Sequence, residues 1–331
     1  MPELTSILQA LAQTRSTPAA LATLVAVKGS SYRRPGARLL LLSDGTHLGS
    51  ISGGCLEEDL RARAHRVLST GRAETVVYDT TAENDLVWGL GLGCQGVVTI
   101  LVEPLPVPTP AWVGTLRTNL EQRQATRLRV DYGGDNPSGT QVAIGPPSEE
   151  LGEGIFLEII AAPPALVVFG AGDDAQPLVR FGSALGWHLT VADTRAAYAT
   201  AERFSGSQLR RVAPASELAD LLALDERTFA VVMTHRYRDD LPLLRSLLPR
   251  PLAYLGVLGP RQRTERLLAE LKQEGFLPDA AMLAKLHAPV GLDLGGRTPE
   301  SVALAIVAEI QARLTGRTPD FLRARYGPIH G

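Results

Sequence analysis

Lysine is nearly absent from this 331-residue chain: of 33 basic side chains only Lys28, Lys272 and Lys285 are lysines, and the rest are arginines. An arginine cluster therefore carries less weight here as a sign of phosphate binding than it does in an average composition. Cysteine is as scarce. Cys55 and Cys94 make no disulfide framework, and with six histidines they show no zinc-ligand spacing. Such usage suits a reducing cytoplasm, the expected compartment. No apolar run exceeds the length of a strand, so no membrane span is expected. The N-terminus shows no basic segment followed by a cleavage-like site. A net charge of −2 gives no reason to expect nucleic acid or an acidic membrane as a partner. Internal repeats and low-complexity segments are missing as well. What remains, 45% apolar and 21% charged residues, is the make-up of a soluble globular chain long enough for two domains.

The stretch Gly49-Ser50-Ile51-Ser52-Gly53-Gly54-Cys55-Leu56-Glu57 is the first to carry chemistry. Leu56, Leu60, Ala64, Val67 and Leu68 recur at spacings of three and four, so a helix is predicted from Cys55 onward. Ser52 is the predicted N-cap, with Gly53 and Gly54 opening the first turn. Cys55 then lies among backbone N–H groups that lack an intrahelical partner, where an anion is favoured and a cysteine is reactive. A tight strand-to-helix turn over a small buried cysteine satisfies the same pattern. Upstream, residues 3–14 read as a helix and Ala20–Val27 as a buried strand. The loop Lys28–Gly36 follows, where Arg33, Arg34 and Arg38 offer bidentate donors for a phosphate or carboxylate. A solvated basic loop fits equally well.

Downstream, Gly91, Gly93 and Gly96 satisfy G-x-G-x-x-G around Cys94. A dinucleotide fingerprint must open a helix, yet Val97–Val102 reads as a strand, so this glycine loop is not expected to bind a nucleotide. Pro104, Pro106, Pro108 and Pro110 then stiffen the chain. Residues 106–162 read as a linker and small subdomain, which sets the expected domains at 1–105, 106–162 and 163–331.

From Ala165 strands and helices alternate regularly, the pattern of a parallel sheet. Ala165–Phe169 runs into Gly170-Ala171-Gly172-Asp173-Asp174-Ala175, and the next strand ends in Asp193. That is G-x-G-x-x-A in the strand–turn–helix context, with an acid about twenty residues on, where dinucleotide folds bind a ribose. Gly170, Gly172 and Asp193 are the candidate NAD(P)-binding residues. Asp173 and Asp174 oppose that ligand: each like-charge contact with a pyrophosphate is worth roughly 1–4 kcal/mol, so weak NAD binding is expected. Thr298-Pro299 announces the last helix. The fold class predicted is α/β, an N-terminal α/β domain followed by a Rossmann-like, doubly wound parallel sheet.

Taken together, these motifs are similar to those of the XdhC/CoxI family, accessory factors for xanthine dehydrogenase and related molybdenum hydroxylases. The residues that carry the resemblance are Gly29-Ser30-Ser31 with Pro35-Gly36, Ser50–Glu57, Gly91–Cys94, Phe169–Gly172, Asp193-Thr194-Arg195, Met233-Thr234-His235 and Pro289–Asp293 with Thr298-Pro299-Glu300. They span nearly the whole chain outside 106–162. Asp173 stands where the family usually has His, and Pro260 where it usually has Ser. The resemblance implies a cytoplasmic cofactor chaperone that forms a homodimer. Such a protein binds the molybdenum cofactor, helps a cysteine desulfurase sulfurate it, and delivers it to an apo-hydroxylase. On that implication Cys55 is the soft metal ligand with Cys94 nearby, while Ser52, Gly53, Gly54 and Arg33 or Arg34 hold the pterin and its phosphate. Two other functions fit the residues. One is an NAD(P)-dependent oxidoreductase with His235 as its acid–base group. The other is an interaction scaffold with inert cysteines.

Overall fold

The computed structural model describes residues 2–13, 17–79, 96–144 and 152–326. The chain divides into two compact units, Met1–Ala162 and Pro163–Gly331.

In the first unit, helix α1 (Pro2–Gln13) leads into strands β1 (Ala19–Gly29), β2 (Arg38–Leu42) and β3 (His47–Gly49). Helix α2 (Glu57–Thr70) and strands β4 (Glu74–Asp79) and β5 (Gly96–Leu105) follow. The strands pair antiparallel in the order β3-β2-β1-β5-β4. The central β1 is apolar from Ala19 to Val27 but for buried Thr23 because both of its faces are covered, and successive side chains point to opposite faces. Ala19 and Leu21 share a core with Leu40, Leu42 and the α1 residues Ile7 and Leu8. Ala20, Ala22 and Leu24 share another with Leu39, Leu41 and the α2 residues Leu60, Ala64 and Val67.

Residues 106–162 continue this unit. Helix α3 (Ala111–Glu121) precedes an antiparallel sheet of β6 (Thr126–Asp131), β7 (Gly139–Val142) and β8 (Ile155–Ile160), ordered β7-β6-β8. Trp112, Val113, Leu116, Leu128 and Ile160 are buried in the same core as α1 and β1. The two sheets are also fastened by charge. Arg38 of β2 is nearly fully buried and donates to Glu158 of β8 at 2.5 Å. Glu103 of β5 accepts from the Thr140 N–H of β7 at 2.8 Å. Burial raises the Glu103 carboxyl above its ordinary range, against the hydrogen bonds of Thr140 and the charge of Arg38.

The second unit is the doubly wound sheet that its alternating pattern predicts. Strand β9 (Ala165–Phe169), helix α4 (Ala175–Ala184), β10 (His188–Asp193), β11 (Leu209–Val212) and β12 (Thr228–Val232) come first. Helix α5 (Tyr237–Leu247), β13 (Tyr254–Val257), α6 (Arg261–Gln273), α7 (Ala280–Ala284), β14 (Leu286–His287) and α8 (Pro299–Thr315) complete it. All six strands are parallel, in the order β11-β10-β9-β12-β13-β14. Leu166, Val168, Phe229 and Val231 face α4 and α8 through Leu178, Val179, Ile306 and Ile310. Val167, Phe169, Ala230 and Val232 face α5 and α6 through Leu243, Leu247, Leu267 and Leu271. The strand order reverses between β9 and β12, and open α/β sheets bind ligands in the crevice beyond strand C-termini at such a point. Helix α8 starts as predicted, with Thr298 accepting from Ser301 N–H at 3.2 Å and Pro299 in the first turn.

Gly170 ends β9 at φ +118°, and a Cβ there would lie 2.5 Å from the Met233 carbonyl oxygen. The glycine therefore serves close approach between neighbouring strand ends. Gly170→Ala is expected to destabilise the unit by about 3 kcal/mol from backbone strain plus overpacking. Gly275→Ala, at φ +81° with nothing within 4 Å of the new Cβ, should cost only about 1 kcal/mol. Denaturant unfolding of the two variants measures the difference, and equal losses would contradict this role for Gly170.

Candidate functional site

The candidate loops of the first unit leave its large sheet in one direction. β1 ends at Gly29, opposite the start of β5 at Gly96. β2 begins and β3 ends toward the same side, with Leu39 paired to Gly49. β4 ends there as well, Asp79 being paired to Val97. Contacts tie the loops together. A Cβ on Gly96 would lie 2.1 Å from the Ser30 carbonyl oxygen, so the 30–36 loop packs on the start of β5. The Tyr32 ring covers Gly53, 3.3 Å from where a Cβ would stand.

Between β3 and α2 the chain is anchored by two buried apolar side chains, Ile51 and Leu56. The segment between them bends around the carboxylate of Glu57. One oxygen, Oε1, accepts from Ser50 Oγ at 3.1 Å, Ile51 N–H at 3.2 Å and Ser52 N–H at 3.0 Å. The other, Oε2, accepts from Gly54 N–H at 2.9 Å, Leu56 N–H at 3.2 Å and the Ser52 hydroxyl. Gly53 N–H donates to Ser50 Oγ at 3.2 Å. Gly53 and Gly54 have φ of +78° and +124°, which lets the backbone wrap the carboxylate. Burial raises the Glu57 pKa, but the hydrogen bonds from the Ser52 hydroxyl and from Ser52 and Ile51 N–H prevail and hold it at about 2.

This geometry corrects three expectations. Helix α2 begins at Glu57 with Leu56 as its cap, so Cys55 precedes the first turn. The cause is Glu57 itself, which draws the N–H groups of Ile51, Ser52, Gly54 and Leu56 inward and keeps them out of a helical path. Second, the donors expected to face a ligand anion are already taken: Ser52 and Gly54 donate to Glu57, and Gly53 to Ser50. Third, the arginines do not form one clamp. Arg33 Nη2 lies 2.9 Å from each carboxylate oxygen of Glu3, Arg38 is spent on Glu158, and Arg34 is exposed. Cys55 is half-buried and makes no disulfide. Cys94 lies outside the described residues, with Gly91 and Gly93; the strand expected after them is β5. No group of three or more His, Cys, Asp or Glu placed to hold a metal occurs among the described residues.

In the second unit, Gly170, Gly172 and Asp193 meet at the end of β9 as the motif predicts, yet the chain's own groups fill the place. Asp193 is buried and its Oδ2 accepts from Ala171 N–H at 2.6 Å and Arg195 Nη2 at 2.9 Å. Its Oδ1 accepts from Arg195 N–H at 2.8 Å and Nε at 2.9 Å. Over Gly172, where a dinucleotide fold admits pyrophosphate, the Asp174 carboxylate sits 2.6 Å from the position of a Cβ. Asp174 is paired with His235 Nε2 at 2.6 Å, and Asp173 with Arg203 at 2.9 Å. Asp240–Arg263 at 2.6 Å and Asp239–Arg236 at 3.2 Å continue the pairing along the crevice. Asp173 is thus ion-paired with Arg203 and Asp174 hydrogen-bonded to His235, so the acidic turn does not stand bare against a phosphate. His235 holds φ +58°, a conformation unusual for a side chain of its size.

Arg203 is a neighbour that the sequence pattern does not single out, while Glu57 and Arg195 stand in its motifs without an expected role. Glu57 left a trace, an acid placed just after a glycine-rich turn at a helix start, and Arg195 one in the Asp193-Thr194-Arg195 motif; Arg203 left none among so many arginines.

Burial raises the Asp193 pKa, but hydrogen bonds from Arg195 and Ala171 bring it below its ordinary 3.8. A carboxyl depressed by folding stabilises above its unfolded value and loses that stabilisation as pH falls below it. The second unit should therefore weaken as pH drops below about 3.8. Asp193→Asn should cost about 2–4 kcal/mol at neutral pH and flatten that acid limb. Urea unfolding at about pH 7 and about pH 3 measures both, and an unchanged limb in the variant would contradict the assignment.

Comparison with known proteins places this geometry in a family. Residues 12–79 match the model of the XdhC and CoxI family, and residues 166–310 that of the XdhC Rossmann domain. A Bacillus subtilis (strain 168) protein described as a probable xanthine dehydrogenase subunit is 31% identical over 313 residues, covering 88% of this chain and 92% of its own. The molybdenum cofactor insertion chaperone PaoD of Escherichia coli (strain K12) is 24% identical over 294 residues, covering 88% and 82%. A crystal structure of a xanthine dehydrogenase from Bacillus halodurans superposes with a TM-score of 0.80 at 30% identity, covering 96% of this chain and 97% of that one. With both of its units matched and a relative of this identity aligned along almost its full length, the chain belongs to the XdhC and CoxI family.

Proposed function

We propose that this protein is an accessory factor that carries the molybdenum cofactor as cargo to a xanthine dehydrogenase-type hydroxylase, with Cys55 as the ligand that receives it. The observation that supports this most is a half-buried thiol on a loop whose backbone donors are engaged on either side of it. A loop so satisfied offers a ligand side chains in place of amides, and a thiolate suits a soft, sulfur-rich metal better than oxygen does. The name of PaoD, a cofactor insertion chaperone, points the same way. Gly54 beside Cys55 is exposed, and a Cβ there would meet nothing within 4 Å.

The pterin's phosphate is not assigned to Gly53 or Gly54. Arg33 or Arg34, on the loop that covers Gly53 with Tyr32, is the cation we assign to it. Cys94 is kept as a second contact. Sulfuration by a cysteine desulfurase, transfer to the apo-hydroxylase and a cytoplasmic homodimer belong to the same proposal. No described helix is long and apolar enough to cross a membrane. An oxidoreductase function is disfavoured by the second unit, where Asp174 fills the pyrophosphate place and Asp193 is saturated by Ala171 and Arg195.

Cofactor content by mass spectrometry, after anaerobic purification from a cofactor-producing host, is the test. Cys55→Ser and Cys55→Ala should fold normally, lose at least about tenfold in content, equivalent to roughly 1.4 kcal/mol of binding, and fail to activate an apo-hydroxylase. Full content and activation in Cys55→Ala would refute the assignment. For the second unit, calorimetric titration with NADH should show no binding tighter than about millimolar, which corresponds to roughly −4 kcal/mol. Submillimolar binding would restore the oxidoreductase.

A further inference from the structure

We infer that Glu57 is the positioning residue of the cofactor-binding loop, holding Cys55 in place through the backbone N–H groups of the residues before and after it. The inference rests on the reading of Cys55 as the cofactor ligand. Glu57 accepts from the N–H of Gly54, the residue before Cys55, and from the N–H of Leu56, the residue after it. Both bonds end on the same oxygen, so the Gly53–Gly54 and Cys55–Leu56 peptides that bracket the thiol are tied to one point, the Leu56 N–H also reaching Ser52 Oγ at 2.8 Å. The other oxygen holds Ser50, Ile51 and Ser52, and so fixes the path of the chain into the turn. Buried Ile51 and Leu56 hold the loop ends to the core but do not set the orientation of Cys55 between them.

The chemistry requires an ionised carboxylate. All of the groups directed at Glu57 are donors, and a carboxylate is an acceptor at both oxygens, with about four lone-pair sites. An amide in its place turns one acceptor into a donor aimed at other donors. Glu57 is also the first residue of α2, so its own backbone is set by a helix whose Leu60 and Val67 are locked in the core. The helix thereby serves as the rigid reference from which the carboxylate positions the thiol. Glu57 touches no ligand; it acts through Cys55.

The test uses the full-length protein with Glu57→Gln, Glu57→Asp, Leu116→Ala and Cys55→Ala. Two quantities are read at fixed pH: the rate at which iodoacetamide modifies Cys55, followed by peptide mass spectrometry, and the molybdenum cofactor content. Leu116→Ala, in the α3 core on the other face of the sheet, reports general destabilisation. Glu57→Gln should release the loop, raise the alkylation rate about fivefold or more, and lower cofactor content about tenfold. Glu57→Asp keeps the charge on a shorter arm and should recover part of both. Leu116→Ala should leave both within about twofold of wild type while lowering the melting temperature. The inference is overturned if Glu57→Gln alkylates like wild type, or if Leu116→Ala reproduces its changes, or if Glu57→Asp recovers nothing. The cofactor assignment fails separately, through a Cys55→Ala protein that keeps its cofactor. In that event the alkylation rates alone decide whether Glu57 positions the thiol.

Discussion

A single buried carboxylate organises the first unit's loop end. Glu57 gathers backbone and hydroxyl donors from the turn that precedes its own helix, and everything proposed for Cys55 depends on that arrangement. An isolated loop of serines and glycines loses a large conformational entropy on adopting one shape. Hydrogen bonds to a charged acceptor are the strong kind, and several of them converging on one ion offset that loss. Placement at the start of α2 adds the favourable end of the helix dipole. The result is a short segment with positive φ at two adjacent glycines, closed on the inside by Glu57 and covered outside Gly53 by Tyr32. Cys55 is left at its rim.

The second unit follows the same logic. Its glycine turn and the acid at the end of β10 are the parts of a dinucleotide site, and each is satisfied by the chain itself. Asp193 accepts the Ala171 N–H that a phosphate would otherwise take, and Asp174 occupies the space that Gly172 leaves. Arg195, Arg203 and Arg263 balance the acids around them, and His235 is hydrogen-bonded to Asp174. A site assembled this way is stable without a ligand. Both units thus bring donors to a point where anions bind in other proteins, and both supply the anion from within.

The sequence made most of the fold legible because the elements that matter are strongly periodic. The run Ala165–Phe169, the helix that follows and Asp193 predict a parallel sheet, and His188 pairs with Ala165 in parallel register. The helix cap at Thr298 follows from its local chemistry alone. The elements that escaped are those with little pattern to read: β3 and β14 have three and two residues, and β11 reads Leu-Arg-Arg-Val. The site was legible in its donors and not in its acceptors. Glycine and serine spacing predicts where N–H groups converge. Which carboxylate reaches them depends on side-chain direction, and this is why Glu57 and Asp193 emerge only in the structure as internal ligands. Arg38 shows the reverse case: it reads as a phosphate clamp, and tertiary packing buries it against Glu158.

The claim on which this account stands is a direct bond between the Cys55 sulfur and the cargo metal. Molybdenum K-edge X-ray absorption on the anaerobically loaded protein measures it most directly. The account predicts one more sulfur scatterer around molybdenum than in the free cofactor in the same buffer, and its loss in Cys55→Ser protein exposed to the same cofactor. An identical sulfur shell in the wild type, the variant and the free cofactor would contradict it.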